Sequence, residues 1–486
     1  MGAEKLVVVV GAGLAGLAAA REVQSHGVRV LVLEASGVLG GRIKQLNGLV
    51  PWPVELGPEF LHGKQNSSIA QIVNEMGCTM TEFPYHILVS FSSCYVCLDN
   101  LSPDFYYVGS ESRLLTSEEA EDHSEIQTVH GIFAALAEET HPSPDICMDE
   151  FLRRNKVSNT VVQLAESIYA NDFGCSLHQL GVGECIEEAR QWIYGDTYML
   201  LDRPLSSIVD HLSKGLNAGV LTSHPVEDIT YFPTGELEVK CRGGAKFQAH
   251  YTIVTVPVKI LEDESIRFNP PLPKSKVDAA STIGMSSAVK ILLAFSQRFW
   301  PEEMFDVVCT DCFVPEFWAT QYPCKSSRDE EALGSVLLVG FIAGETARQI
   351  SKLSHSEIFS RALSQLDEIF AKIKPTKNAK LSIETFQESG GFYTRAAAKP
   401  FDPELQPASF YFAAASLVDW SREDFVRGGY SHPSLNARGA REELAKPVHG
   451  RLFFAGEATH PGVNPCMQAA IDSGIRAARE VLGCVI

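Results

Sequence analysis

Apolar positions along this chain fall into two kinds of block. Leu6–Val10 is an unbroken apolar run of strand length, and it meets Gly11-Ala-Gly13-Leu-Ala-Gly16. A stretch with helical spacing follows, then a second apolar run over residues 30–33 that ends at Glu34. This order predicts strand, tight turn, helix and strand. Residues 67–216 read as mostly helical, with the clearest helical periodicity at 126–136 and 161–170. Alternation returns over 220–257, which predicts paired strands at 236–241 and 249–256 about a Gly243-Gly244 turn. Residues 288–295 predict another strand, and 452–454 a short one. An amphipathic helix follows over 467–482, ending near Gly483.

The first block carries the most specific chemistry. In a G-x-G-x-x-G turn, Gly11 permits the sharp bend, Gly13 lets the backbone approach a pyrophosphate, and Gly16 lets the helix pack close to the strand. The helix N-terminus adds partial positive charge for the phosphates, and Glu34 is placed to bond ribose hydroxyls. A dinucleotide site is implied, and NAD and FAD both use such a unit. The strand-to-helix pattern at the far end suits the same domain, so that domain is expected to be discontinuous.

Composition narrows the class. The chain has 486 residues, 45% of them hydrophobic, which is enough for more than one domain. Its apolar runs are too short to span a bilayer and no signal-peptide layout is present, so no membrane partner and a cytoplasmic location are the default expectations. With 41 basic against 60 acidic residues, a net charge of −19 disfavours nucleic acid and would concentrate a small cationic substrate. The 12 cysteines lack metal-ligand spacing, so no metal is expected. Cys94 and Cys97 form one C-x-x-C without a companion. A monomer is the simplest assumption.

Seven ordered segments together resemble the flavin-dependent amine oxidase family, nearest its polyamine oxidase branch. They are the opening G-A-G-L-A-G with Glu34, Gly40-Gly41-Arg42, residues 54–63, Val254-Thr-Val-Pro257, Lys290 before Ile-Leu-Leu, Arg427-Gly-Gly-Tyr430, and Phe454-Ala-Gly-Glu457-Ala-Thr459. The resemblance implies an α/β fold: a Rossmann-like FAD-binding domain (1–66, 217–290 and 440–486) with a mixed α+β substrate-binding domain (67–216 and 291–439). It also implies noncovalent FAD. Gly41 and Arg42 would lie along the pyrophosphate and flavin, the Val226 region would meet the adenine, and Glu457 would contact the ribityl and phosphate groups. Lys290 would hold a water at flavin N5, Tyr430 would form one wall of an aromatic pocket, and Trp420 would be a second ring near the flavin. His62 would bind a substrate amine or cap a loop.

Read without the family, Lys290 interrupts an apolar strand, where an unpaired ammonium is costly. The expected reaction is oxidation of spermine, spermidine or an acetylated form, with O2 giving H2O2. An L-amino-acid oxidase, which would need an arginine clamp, and an oxidase-inactive scaffold flavoprotein are the alternatives. Histone demethylation is disfavoured, because relatives with that activity carry a helical insertion and an extra domain for which the chain has no room. The sequence departs from the family at Pro58-Glu59, at Leu201-Asp-Arg-Pro204, at Cys466, and at Gln468-Ala469-Ala470 where H-G-A is usual. Glu166, Asp172, Glu184, Glu187 and Glu188 are acids that could meet secondary ammonium groups, and sequence does not choose among them.

Overall fold

A computed structural model describes residues 5–83, 104–195, 198–216, 219–232, 235–319, 332–373, 382–397, 399–462 and 466–485. The Cys94/Cys97 pair lies outside these. Strand β1 (Leu6–Val10), helix α1 (Leu14–Ser25) and strand β2 (Arg29–Leu33) form the expected opening unit. They are joined by β3 (Val220–Leu221), β4 (Tyr251–Val254), β5 (Leu452–Phe454) and helix α2 (Met467–Val485). The five strands lie parallel in the order β3-β2-β1-β4-β5. Because β1 has β2 on one side and β4 on the other, a crevice opens at its carboxyl end, where such sheets bind ligands.

Helices α1 and α2 cover one face of this sheet through Leu17, Ala18, Ile471 and Ala478. The other face packs through Val8, Val10 and Leu33 on a four-stranded sheet that contributes Val226, Ile229 and Val239. Gly16 fixes the spacing of α1 over the turn. A Cβ there would stand 1.9 Å from the carbonyl oxygen of Gly11, which itself sits at φ 105°.

A nine-stranded sheet forms the second part. Its strand Ala288–Phe295 is buried throughout and pairs antiparallel with Val336–Ala343 on one side and Phe412–Asp419 on the other. Side chains alternate across a strand, so Val289, Ile291, Leu293 and Phe295 pack under the helix His355–Phe370. Ala288, Lys290 and Leu292 face the opposite way, toward the nucleotide-binding part.

Several expectations need correction. The 67–216 region contains strands Met80–Phe83, Asp104–Val108, Arg113–Leu115 and Tyr198–Leu201 among its helices. Asp104–Val108 is buried on both faces, so period-two alternation could not reveal it. The run expected at 249–256 is two strands. Lys246–Ala249 closes the hairpin with Leu237–Cys241, and β4 then leaves for the parallel sheet, where its residues are buried on both sides. Helix α2 continues through Gly483, since one glycine near a helix end costs about 1 kcal/mol and does not stop it. The boundary drawn at residue 290 falls inside a continuous strand. Helices Ser68–Glu75 and Ser206–Ser213, expected with the substrate-binding part, bury Ile69, Val73, Ile208 and Leu212 in the core beneath α1.

Gly16→Ala must push α1 off the turn. The expected outcome is a loss of about 1–3 kcal/mol in urea unfolding together with loss of bound flavin absorbance, and unchanged values in both would contradict this packing.

Candidate active site

A cavity of about 440 Å³ runs from the carboxyl end of β1 to the inner face of the nine-stranded sheet. Gly11, Gly13, Glu34, Gly41, Arg42, His62, Val226, Lys290, Trp420, Tyr430 and Glu457 all line it. Of the expected site residues, Gly16 alone is not at the wall; its contribution is the close packing described above.

At one end, α1 begins at Gly13 with no side chain capping it, so its first backbone N–H groups are left for an anion. A Cβ on Gly13 would meet nothing within 4 Å, and Gly41 at φ 61° stands across from it. Glu34 is held by N–H donors from Ala12 (2.7 Å) and Ser36 (2.8 Å), which leaves carboxylate lone pairs for ribose hydroxyls. Val226, which opens its strand, borders the same end beside His224 and Pro225. An open cradle, a free helix N-terminus and a fixed carboxylate suit an adenine dinucleotide.

In the middle, Arg42 Nη1 donates to Glu457 Oε1 at 2.9 Å and to the carbonyl oxygen of Gly429 at 3.1 Å. Burial opposes ionisation of Glu457, but Arg42 and the Ser431 hydroxyl outweigh it and hold the carboxyl below its ordinary range. Glu457 therefore acts first on Arg42, which it holds at the wall. Its carboxylate lines the cavity with one oxygen engaged by Arg42 and the other by the Ser431 hydroxyl. Trp420 is buried, and its indole N–H donates to the carbonyl oxygen of Leu56 at 3.0 Å.

At the far end, Lys290 is 4% exposed. It is not unpaired: its Nζ donates to Glu59 Oε2 and to the carbonyl oxygen of Glu55, both at 3.3 Å. Strand register explains the neighbours. Lys290 lies opposite Phe341, and Phe341 opposite Glu316, so the three form one row; Leu292, Val339 and Trp318 form the next row on the same face. Trp318 Nε1 donates to Glu59 Oε2 at 3.0 Å, and the ammonium lies 5.2 Å from the centre of its ring. Phe60 meets Trp318, Phe305 and Tyr198 edge-on.

Tyr430 donates its hydroxyl to the backbone oxygen of Asp172 at 2.7 Å, and burial pushes its phenol well above the usual range. The His62 ring packs edge-on to Tyr198 at 4.6 Å, and burial lowers it to about 4, so it is a neutral imidazole at physiological pH. Its backbone oxygen accepts from Gln468 Nε2 at 2.7 Å, which gives the departure at that position a structural task. Cys466 lines the wall as a thiol that burial keeps protonated.

The structure also sorts the five acids. Glu166 accepts from Leu177 N, Glu184 from Ser434 N, and Glu187 pairs with Arg438 and His141. Asp172 and Glu188 line the cavity. Asp172 follows a π-helical turn, Glu166–Ala170, of the kind often found where a helix shapes a site. Burial, then the charge of Asp104, raises its carboxyl to about 7. Tyr198, Glu316 and Trp318 complete the wall without any motif to announce them, together with Glu59 from the 54–63 segment. Glu59 was visible there as a departure from the family pattern.

An elongated cavity with a dinucleotide cradle at one end and a lysine under aromatic rings at the other defines a flavin-dependent amine oxidoreductase. The family model "Flavin containing amine oxidoreductase" matches residues 14–482, and the chain belongs to that family. Its cofactor is FAD. The chain is 24% identical over 490 residues to Lysine-specific histone demethylase 2 of Homo sapiens, covering 98% of this chain and 53% of that protein. It is 25% identical over 491 residues to Polyamine oxidase 3 of Oryza sativa subsp. japonica, covering 97% and 88%. The chain thus spans about half the length of the demethylases it matches. Cyclohexylamine oxidase from Brevibacterium oxydans IH-35A shares the fold with a TM-score of 0.77 at 17% identity, over 99% of both chains.

Asp172 supplies a pH test. Its folded-state value is raised from 3.8 to about 7, so the stabilisation it gives is complete below the unfolded value and is lost as pH rises through about 7. The melting temperature of Asp172→Asn minus that of the parent should therefore grow by several degrees from pH 4 to 7.5, and a flat difference would contradict the assignment.

Proposed function

We propose that the protein oxidises a polyamine, such as spermine, spermidine or an acetylated form, beside a secondary nitrogen. Noncovalent FAD, held by the Gly11–Gly13 turn, Glu34 and the loop that carries Arg42, would supply a hydride acceptor for the carbon next to nitrogen, with O2 as the final oxidant and H2O2 as its product. Water then divides the oxidised product into an aldehyde and an amine, so that amine, O2 and H2O give aldehyde, amine and H2O2.

The observation that carries this reading is Asp172, an acid on the wall of an aromatic-lined cavity that also holds Glu188 and Glu316. A single amine next to the flavin must be neutral to react, because its lone pair stabilises the forming C=N bond. An additional acid along the wall suits a second, still protonated nitrogen. Aromatic rings from Phe60, Tyr198, Trp318 and Tyr430 exclude water and favour the neutral form of the reacting nitrogen. His62, neutral and beside Tyr198, can accept a hydrogen bond from an ammonium without adding a charge. No arginine clamp for a substrate carboxylate emerges from these residues, which favours polyamines over amino acids.

A second reading, oxidation of a methylated lysine side chain, draws support from the likeness to the human demethylase over 98% of the chain. One experiment separates the two. The purified flavoprotein is mixed without oxygen with spermine, N-acetylspermine, a simple monoamine, an L-amino acid, or a methyl-lysine peptide, and bleaching of the flavin is followed. Bleaching by the polyamines supports the proposal. Bleaching by the peptide alone transfers it to the second reading, by amino acids alone to an amino-acid oxidase, and by none to a scaffold role.

Asp172→Asn should raise KM for spermine by about 10- to 100-fold, the loss of one charge-assisted contact, while leaving monoamine KM within about threefold. Equal effects on both substrates would remove Asp172 from recognition of a second nitrogen.

A further inference from the structure

Glu59 is the cavity acid paired with Lys290, the cation of the aromatic end. Its Oε2 lies 3.3 Å from Lys290 Nζ, with the side chains 3% and 5% exposed. The same oxygen accepts the Trp318 indole N–H at 3.0 Å, so the carboxylate is itself held from the sheet. Glu59 comes from the segment that follows Gly57-Pro58, and Lys290 and Trp318 from two strands on either side of Val336–Ala343 and its neighbours. Burying such a pair costs several kcal/mol of desolvation per ion, and apolar residues of similar volume often replace one without loss of stability. A Lys290 ammonium has three donors. With one directed at Glu59 and a second at the Glu55 carbonyl, the direction of the third is set by tetrahedral geometry and no longer by free rotation.

We propose that Glu59 is the positioning residue of Lys290: it fixes the direction of the ammonium and balances its charge at the flavin end of the cavity. The lysine then presents one oriented donor within a neutral pair. This extends the amine-oxidase reading, resting on FAD and Lys290 sharing the cavity, and does not depend on which amine is oxidised.

The test uses four flavin-loaded proteins: the parent, Glu59→Gln, Lys290→Met, and the double variant. Flavin midpoint potentials are measured by dye-coupled chemical reduction with no amine present, so a failure of the polyamine reading leaves this measurement intact. Removing the carboxylate alone leaves an ammonium still held by the Glu55 carbonyl oxygen and the Trp318 ring, a cation that favours the electron-rich reduced flavin, so Glu59→Gln should shift the potential upward. In the Lys290→Met background the same change should have little effect, because a buried carboxyl with no counter-ion takes up a proton and is already neutral. Equal shifts in both backgrounds, or none in either, would overturn the proposal.

Glu59→Asp separates position from charge and guards against a misfolded Gln variant. Retaining the charge but withdrawing it by one methylene should leave the potential near that of the parent. The rate of flavin reduction by whichever amine bleaches the parent should fall at least fivefold, and if no amine does, the potential alone decides. A parent-like reduction rate would show that the geometry of the pair is not used.

Discussion

The contact between Arg42 and Glu457 holds this architecture together at its centre. It joins residues 415 positions apart, one in the glycine loop after β2 and the other in the turn after β5. Both are poorly solvated, and each would be costly to bury without the other. Arg42 also reaches Gly429, next to Tyr430, and Glu457 reaches Ser431 on its other side. One ion pair thereby sets the distance between the cofactor cradle and the aromatic wall. The cavity is continuous because these three segments meet at it.

A second design element is the division of charge along that cavity. The cofactor end offers backbone N–H groups, and Arg42, paired with Glu457, stands between it and the aromatic wall. The opposite end places a lysine against a carboxylate and leaves other acids on the wall. The aromatic rings between them make each charge more consequential, since interactions in a water-poor site are less screened. Acid residues alone do not define the site: most of those in the helical region are spent on backbone N–H groups or surface pairs, and only their direction separates them from Asp172.

What could be read from the sequence follows from how local each feature is. The glycine turn, Glu34 and the flanking strands lie within one short stretch, and their order alone carries their meaning. Lys290 was legible because a charge in an apolar strand stands out. Its partner was not: Glu59 sits far away in sequence, Trp318 reaches it only through strand register, and neither belongs to a periodic pattern. The cost of an unpaired ammonium was legible from sequence, and the structure meets it with a buried ion pair. Glu457 shows the same limit, since its position at the cofactor was legible while its commitment to Arg42 required a long-range contact. Strands buried on both faces, such as Asp104–Val108, lose the alternation by which strands are recognised.

The place of β5 and α2 in the first sheet has a consequence for how the protein is made. β4 is synthesised some 240 residues after β1, and β5 some 200 residues after β4. The nucleotide-binding core cannot close until β5 and α2 have been made, because α1 lacks the helix that covers it and Arg42 lacks its carboxylate. A nascent chain must therefore carry an apolar, half-built cofactor domain while the intervening region is produced. FAD binding to the closed domain then adds to its stability by mass action, and that contribution is available only once β5, α2 and Glu457 are in place.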